Sequence, residues 1–188
     1  GTTGLYSINA RKGGNVSPIP ADHSQNLTGI WPKKMVNYKT VISDASSGFT
    51  SVTYPFPIIR MADLYLMYAE ALNESGENYT TILPWIDIVR ERSGLKGVKE
   101  SWDEYVGNNK YSTQSGLRQI IMQERRIELA FEGHYFWDVR RWKTATTELT
   151  QPMTGWKVNY GETDSDYYSE NLVSVRDFTP KMYFWPID

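Results

Sequence analysis

Cysteine is absent from this chain, and histidine occurs only as His23 and His134. The absence of cysteine excludes disulfides, thiolate zinc sites and cysteine nucleophiles. Two histidines that are far apart in sequence are too few for a His-rich metal centre, and we expect His134 to be a hydrogen-bonded structural residue. Gly13-Gly14 lacks both the spacing and the lysine of a phosphate-binding loop. We therefore expect no metal and no cofactor.

An excess of charge of one sign is also lacking. Lysine and arginine total 20 against 22 aspartates and glutamates, which gives a net charge of −2 and argues against nucleic acid as a partner. Long hydrophobic runs are missing as well. The longest apolar stretch, residues 64–72, is interrupted by Glu70 and is too short to span a bilayer. With 188 residues and 40% apolar side chains, the chain is typical of a globular domain.

Aromatic residues, by contrast, are abundant: they make up 14% of the chain and include seven tryptophans and thirteen tyrosines. Several lie in segments rich in Gly, Asp and Ser rather than in helical stripes. Aromatic faces with nearby polar side chains suit sugars, whose C–H faces stack while their hydroxyls form hydrogen bonds. Alternatively, the rings could cover the helices as a small core. The candidate ligand-binding residues are Trp102 and Trp156, followed by Trp31, Tyr105, Tyr160, Tyr167 and Tyr168.

Apolar residues recur at helical spacing in four segments. We predict helices over residues 61–75, 83–93, 115–132 and 135–143. Thr80 or Thr81 is expected to cap the second helix, with Pro84 in its first turn, and Gly133 to end the third. Two consecutive hairpins predict a mainly α fold with tetratricopeptide-like helical hairpins, long loops and a few short strands. The remaining predictions are short strands near residues 34–42 and 50–54, and a loop over residues 96–114.

We expect one domain over residues 1–188. It comprises an irregular region with short strands (1–57), the helical hairpins (58–143) and a loop-rich C-terminal region (144–188).

Carboxylates occur close to the apolar stripes of the helices. Glu124, Glu128 and Glu132 are four residues apart and share one helix face, and Glu70 lies within the apolar first helix. A buried carboxylate needs a charged partner. The predicted structural ion pairs involve Glu70, Glu124, Glu128 and Asp138 with Arg90, Arg126, Arg140 and Arg141. A competing hypothesis, in which Glu124 and Glu128 act as the acid and nucleophile of a glycoside hydrolase, requires carboxyl groups on both sides of a cleft. Neighbours on one helix do not provide this arrangement.

The most distinctive motif is ERRIELAFEGHYFWDVRRW at residues 124–142. It is accompanied by RMADLYLMYAEAL at 60–72, IDIVRERSGL at 86–95, KKMVNYK at 33–39 and the closing YFWPID at 183–188. Together these segments resemble the SusD/RagB family of outer-membrane glycan-binding lipoproteins from Bacteroidetes-type bacteria. The Pro-Ile pair in the closing segment resembles a motif near the end of that family.

This resemblance implies a tetratricopeptide-like scaffold that captures an oligosaccharide or polysaccharide without catalysis. It implies delivery to a SusC-like TonB-dependent transporter for nutrient uptake, and a surface-exposed location held by a lipid anchor. RagB-type members are thought to handle peptides, so a peptide ligand remains open. Also open at this point are a glycoside hydrolase and a helical module that only docks a protein.

Family members are usually much longer, and their lipidated cysteine and N-terminal helices have no counterpart in this sequence. We therefore expect the chain to correspond to the C-terminal part of a SusD-like protein. We also expect an apolar helix surface near Tyr65, Leu66 and Ala69 to be exposed, because the parts that would cover it are missing here.

Overall fold

A computed structural model describes residues 9, 11–12, 14, 27–32, 34–42, 49–158 and 162–184. Their contacts divide the chain into two units, one formed by Lys34–Asp138 and the other by Gly1–Lys33 with Val139–Asp188. None of the helices in the described ranges has the length and apolar character needed to cross a membrane.

The chain is mainly helical, as predicted. The longer helices are α1 (Met61–Glu74), α2 (Tyr79–Arg92), α4 (Gln114–Glu128) and α5 (His134–Arg141), and the shorter ones are α3 (Val98–Ser101), α6 (Ala145–Glu148) and α7 (Asp164–Tyr167). The strands are β1 (Val41–Ile42), β2 (Phe49–Thr50), β3 (Met153–Trp156) and β4 (Glu170–Ser174). They form two antiparallel pairs, β1 with β2 and β3 with β4.

In the Lys34–Asp138 unit, α1 packs against both α2 and α4. The four residues 75–78 join α1 to α2 as a helical hairpin. The core between these helices contains fully buried aliphatic side chains, among them Leu66, Ile82, Ile86, Ile120 and Ile121. Burial of such side chains, at about 1.5–3 kcal/mol each, is the main term that holds the helices together.

The predicted exposure around Leu66 is wrong. Leu66 and Ala69 are fully buried, and Tyr65 is half-buried. The reason is that α1 contacts two helices and therefore buries the side that carries Leu66 and Ala69. The exposed apolar side chains of α1 include Met61, Leu64, Met67 and Tyr68.

Two predicted helix boundaries also differ from the structure. Helix α2 begins at Tyr79, and its cap is Asn78 rather than the predicted Thr80 or Thr81. The Asn78 side chain accepts a hydrogen bond from the Thr80 N–H at 2.9 Å. Pro84 accordingly lies inside the helix. Helix α4 ends at Glu128 rather than near Gly133, and the chain then turns through Phe131 at φ 65° before α5 starts.

The segment 96–114, predicted as a loop, contains three short helical turns. They are α3, a π-helix over Trp102–Val106 and a 3₁₀ helix over Lys110–Ser112. Asp87 of α2 accepts a hydrogen bond from the Val98 N–H at 2.7 Å and so satisfies a free donor at the start of α3. This cap lies eleven residues away in sequence, which is why local patterning does not reveal it.

In the other unit, β3 and β4 pair so that Trp156 lies opposite Glu170. The backbone of Thr28 lies directly beside this pair of strands. The Trp156 N–H donates to the Thr28 carbonyl at 3.0 Å, and a Cβ added to Gly155 would lie 2.6 Å from the Thr28 Cα. Glycine at position 155 therefore permits a backbone approach that any side chain would block.

Arginine–carboxylate pairs connect the helices of the Lys34–Asp138 unit. Arg125 of α4 is only 3% exposed; its Nη1 lies 2.8 Å from Asp63 of α1, and its Nε lies 3.0 Å from Asp138 of α5. A second bond, from Nη2 at 3.2 Å, makes the contact with Asp138 bidentate.

The carboxylates of α4 are paired as well. Arg90 of α2 binds Glu124. Glu128 accepts hydrogen bonds from Arg60 and Arg92, each at 2.8 Å. These contacts bring α2 and the residue that precedes α1 onto α4.

Substitution Arg125→Met should be strongly destabilising, because it leaves two buried aspartates without their cation. We expect a loss of about 3–5 kcal/mol in the free energy of unfolding, measured by urea denaturation. Arg118→Met is the matched control. Arg118 pairs with Glu74 on the surface at 2.6 Å, where such a pair contributes at most about 1 kcal/mol. Equal losses in the two variants would contradict a stabilising role for the buried cluster.

Substitution Gly155→Ala should distort the strand beside Thr28. We expect a loss of about 1–3 kcal/mol, as for other overpacked sites, together with a changed near-ultraviolet circular dichroism signal from the neighbouring aromatic residues. Thr154→Ala, at an exposed position of the same strand, is the control and should cost less than about 1 kcal/mol. If the Gly155→Ala variant were as stable as the parent chain, with an unchanged spectrum, the close approach would not be required.

Candidate functional site

Four of the predicted ligand-binding residues meet in one cluster, the Trp156 group, which consists of Trp31, Trp156, Tyr167 and Tyr168. Strand β3 carries Trp156 at its end, and helix α7 carries Tyr167 at its end. The Lys157 N–H donates to the Tyr167 carbonyl at 3.1 Å and so holds the two elements together. Thr163 caps α7 by accepting from the Asp166 N–H. The backbone thus fixes where the rings of Trp156, Tyr167 and Tyr168 stand.

Within the Trp156 group, one ring forms the base and one is exposed. Tyr167 is 7% exposed and packs with Val158, and Trp31 and Trp156 are half-buried against them. Burial raises the pKa of the Tyr167 phenol. Tyr168 is 58% exposed, and its ring stands edge-on to Trp156 at 5.5 Å and to Tyr167 at 5.0 Å between ring centres. The cluster therefore presents an aromatic surface to solvent on a packed base.

Carboxylates occur in the same segments as the Trp156 group. Glu170 lies opposite Trp156 in the strand pair and is exposed. Asp166, two residues before Tyr168, is also exposed and accepts a hydrogen bond from the Thr163 hydroxyl at 2.7 Å. Glu162 pairs with Lys12 at 2.6 Å, and this hydrogen bond holds the pKa of Glu162 below its ordinary value. The neighbouring Asp164 pairs with Arg11. Glu170 thus offers an acceptor for sugar hydroxyls on the residue opposite Trp156.

Trp102 and Tyr105 lie in the other unit, on the π-helix. Trp102 is half-buried and packs against the helical core, whereas Tyr105 is 71% exposed. A hydrogen bond with Glu104 raises the pKa of the Tyr105 phenol. An open groove of about 640 Å³ nearby is lined by charged side chains that include Glu104. Because Trp102 contributes to the core, its substitution would disturb the packing of the helices as well as any ligand binding by its ring.

The last predicted ligand-binding residue, Tyr160, lies outside the described residues.

The predicted ion-pair residues are placed as follows. Glu124, Glu128 and Asp138 pair with arginines, and Glu70 is half-buried. Of the predicted arginines, Arg90 is the partner of Glu124. Sequence reasoning does not single out Arg60, Arg92 and Arg125 as partners, nor Asp63. These residues lie on other helices or in apolar segments, and only the packing of α1, α2 and α4 brings them together.

The remaining predicted arginines contact aromatic rings. The guanidinium of Arg126 lies 5.0 Å from the ring centre of Tyr135, and that of Arg141 lies 4.7 Å from Trp142. Arg140 lies 5.1 Å from the ring centre of Phe178 and donates to the Met182 carbonyl at 2.7 Å. Such cation–π contacts contribute about 0.5–1 kcal/mol at exposed sites.

The electrostatics of Glu124 in α4 and of Glu132 after it are those of a structural cluster. Burial raises the pKa of Glu124, and the Arg90 cation opposes this shift. Burial acts in the same direction on Glu132, but hydrogen bonds from Arg60 and Lys34 hold its pKa below the ordinary value. Glu124 and Glu128 thus face arginines of their own unit rather than each other across a cleft, which a glycosidase needs.

No group of three or more His, Asp or Glu side chains within the described part of the chain could hold a metal ion. His134 is half-buried at the start of α5.

Comparison with known proteins gives consistent results. The sequence model of the SusD family matches residues 10–188. SusD-like protein P38 of Formosa agariphila is 34% identical over 98 residues, which cover 52% of this chain and 19% of that protein. SusD-like protein P2 of the same organism is 35% identical over 99 residues, with the same coverage.

A solved structure extends the similarity to the fold. A SusD-like carbohydrate binding protein from Bacteroides fragilis superposes with a TM-score of 0.64 at 30% sequence identity. The match covers 87% of this chain and 31% of that one. The chain thus spans about a third of that structure and about a fifth of each of the two curated relatives. On the family match over almost its whole length, this chain belongs to the SusD family.

Proposed function

We propose that this protein binds oligosaccharides or polysaccharides without catalysis, through the Trp156 group, at the bacterial cell surface. The observation that carries the proposal is the exposed Tyr168 ring supported edge-on by Trp156 and Tyr167. Membership in the SusD family supports it, as does the similarity to a SusD-like carbohydrate binding protein.

The size of the cluster fits a site with several contacts. An aromatic ring contributes about 0.5–1.5 kcal/mol through stacking, whereas even a millimolar complex requires about 4 kcal/mol. Stacking on one ring is therefore insufficient. Tyr168 and the half-buried Trp156 provide aromatic surface, and Glu170, the cross-strand partner of Trp156, provides an acceptor for hydroxyl groups.

Delivery of the bound glycan to a SusC-like TonB-dependent transporter, and attachment to the outer membrane through a lipid anchor, complete the proposal. Both follow from the resemblance to the SusD/RagB family. A hydrolase function is disfavoured because both carboxylates are held in ion pairs. Arg90 of α2 binds Glu124, and Arg60, which precedes α1, binds Glu128.

The proposal predicts that Tyr168→Ala weakens glycan binding about fivefold to tenfold, the equivalent of about 1–1.4 kcal/mol. Affinity electrophoresis in gels that contain a panel of polysaccharides measures the retardation, and reducing-sugar release is assayed in parallel. Because the ring is mostly exposed, the melting temperature should change by less than about 2 °C. Tyr38→Ala, which removes a tyrosine that is 89% exposed in the other unit, is the matched control and should bind like the parent chain.

Three outcomes would count against the proposal. Release of reducing sugar by the parent chain would indicate a hydrolase. Unchanged retardation of the Tyr168 variant, with loss in a Tyr105→Ala variant, would move the site to the π-helix. Retention of peptides but of no polysaccharide would indicate a peptide ligand.

A further inference from the structure

We propose that a polar groove in the Lys34–Asp138 unit is a second binding site, and that its ligand is a short stretch of a neutral glycan. The groove lies between the turn that joins α1 to α2 and the first residues of α4. Its volume of about 350 Å³ is within the range of about 300–1,000 Å³ that is typical of small-molecule sites. The inference does not depend on the Trp156 group, which belongs to the other unit.

Two amide side chains join the walls of the groove. The Asn73 Nδ2 at the end of α1 donates to the Gln114 carbonyl at 3.1 Å, and the Gln114 Nε2 donates to the Asn73 carbonyl at 2.8 Å. These reciprocal hydrogen bonds fix α1 and α4 relative to each other at this point. The groove is therefore preformed, which lowers the entropic cost of binding.

Asn73 also leaves a hydrogen-bond acceptor unmet at the groove. Its residue is only 1% exposed and lines the groove. The Nδ2 donates to the Gln114 carbonyl and to Glu74, both at 3.1 Å, but the Oδ1 accepts no hydrogen bond from any described residue. Because buried polar atoms are almost always hydrogen-bonded, this oxygen needs a donor from outside the protein.

Three further lining residues present polar atoms without a partner among the described residues. The Asn78 oxygen accepts from the N–H and the hydroxyl of Thr80, at 2.9 and 2.8 Å, which leaves the Asn78 Nδ2 as a free donor. The Gln114 Oε1 is a free acceptor, and the Tyr79 hydroxyl can both donate and accept. The groove thus offers neutral donors and neutral acceptors together.

This combination favours sugar hydroxyls. Each hydroxyl both donates and accepts, so adjacent hydroxyls of one ring can bond an amide oxygen and an amide nitrogen at once. An apolar ligand would leave these polar groups unpaired. Among the described residues that line the groove, Glu77 is the one charged side chain, so none of them supplies a cation for an anionic ligand.

A peptide ligand is less well matched. Peptides are usually recognised on an exposed sheet edge, in an apolar groove that takes a helix face, or in an aromatic groove that takes a proline-rich segment. This groove is formed instead by helix ends and turns that carry amides and hydroxyls. Its one aromatic lining residue in the described ranges, Tyr79, is half-buried and stands edge-on to Tyr111 at 5.7 Å between ring centres.

The absence of cysteine from the chain allows a direct test of occupancy. Glu77→Cys places a unique thiol at an exposed position in the groove, and its rate of reaction with fluorescein maleimide is measured with and without neutral hexaoses. The ligands are maltohexaose, laminarihexaose and mannohexaose at about 10 mM, which occupies most of a site with a millimolar dissociation constant. We expect at least one hexaose to slow the reaction at least about threefold.

Matched variants locate the protection. Glu91→Cys, at an exposed position of α2 that does not line the groove, should react at the same rate with and without sugar. Tyr79→Phe in the Glu77→Cys chain removes a hydroxyl that bonds no described residue, so folding should be unaffected and the hexaose should bind about threefold to tenfold more weakly. Tyr38→Phe, which changes a tyrosine that is 89% exposed outside the groove, is its control and should leave protection unchanged.

Four results would overturn the inference. They are the absence of protection by all three hexaoses, equal protection of the Glu91→Cys chain, protection by trialanine but by none of the sugars, and loss of protection when Tyr168→Ala is added. The last result would assign the sugar to the Trp156 group. Persistent protection in the Tyr168→Ala background supports the groove as a separate site, even if the proposed function of the Trp156 group fails its own test.

Discussion

Arg125 is buried between Asp63 of α1 and Asp138 of α5, and this cation sets the arrangement of the Lys34–Asp138 unit. A buried arginine is costly unless its donors are satisfied, and here one guanidinium binds two carboxylates from different helices. These contacts tie helix α4 to both α1 and α5, and sliding α4 along either helix would separate buried opposite charges. The aliphatic core supplies most of the stabilising free energy, and the charge cluster adds directional contacts between the helices.

Much of the helical scaffold can be predicted from the sequence. The prediction for helix α1 is correct to within one residue, because its apolar spacing is regular and a glycine follows it. The start of α2 and the helical turns after it are harder to predict, for a common reason. Asn78 and Asp87 form caps that depend on side-chain placement, and Asp87 acts across eleven residues. The need of the α4 carboxylates for arginines is also evident from the sequence, but the partners become visible only once α1, α2 and α4 have packed.

The aromatic site can likewise be predicted from the sequence only in part. Composition and sequence context indicate which rings are unusual, and four of them lie together in the Trp156 group. Sequence does not show that Tyr167 is the buried base and its neighbour Tyr168 the exposed ring. That distinction depends on how α7 meets the end of β3. Glu170 carries no signal of its own, since only the strand register places it beside Trp156.

Nuclear magnetic resonance can locate glycan binding on the Trp156 group residue by residue. The ligand is an oligosaccharide prepared from the polysaccharide that retards the protein most strongly in affinity electrophoresis. It is titrated into the ¹⁵N-labelled protein. We predict that the largest shift changes occur at the backbone amides of Trp156, Tyr168 and Glu170 and at the Trp156 indole N–H. Shift changes confined to Trp102 and Tyr105, with the Trp156 group unaffected, would contradict it.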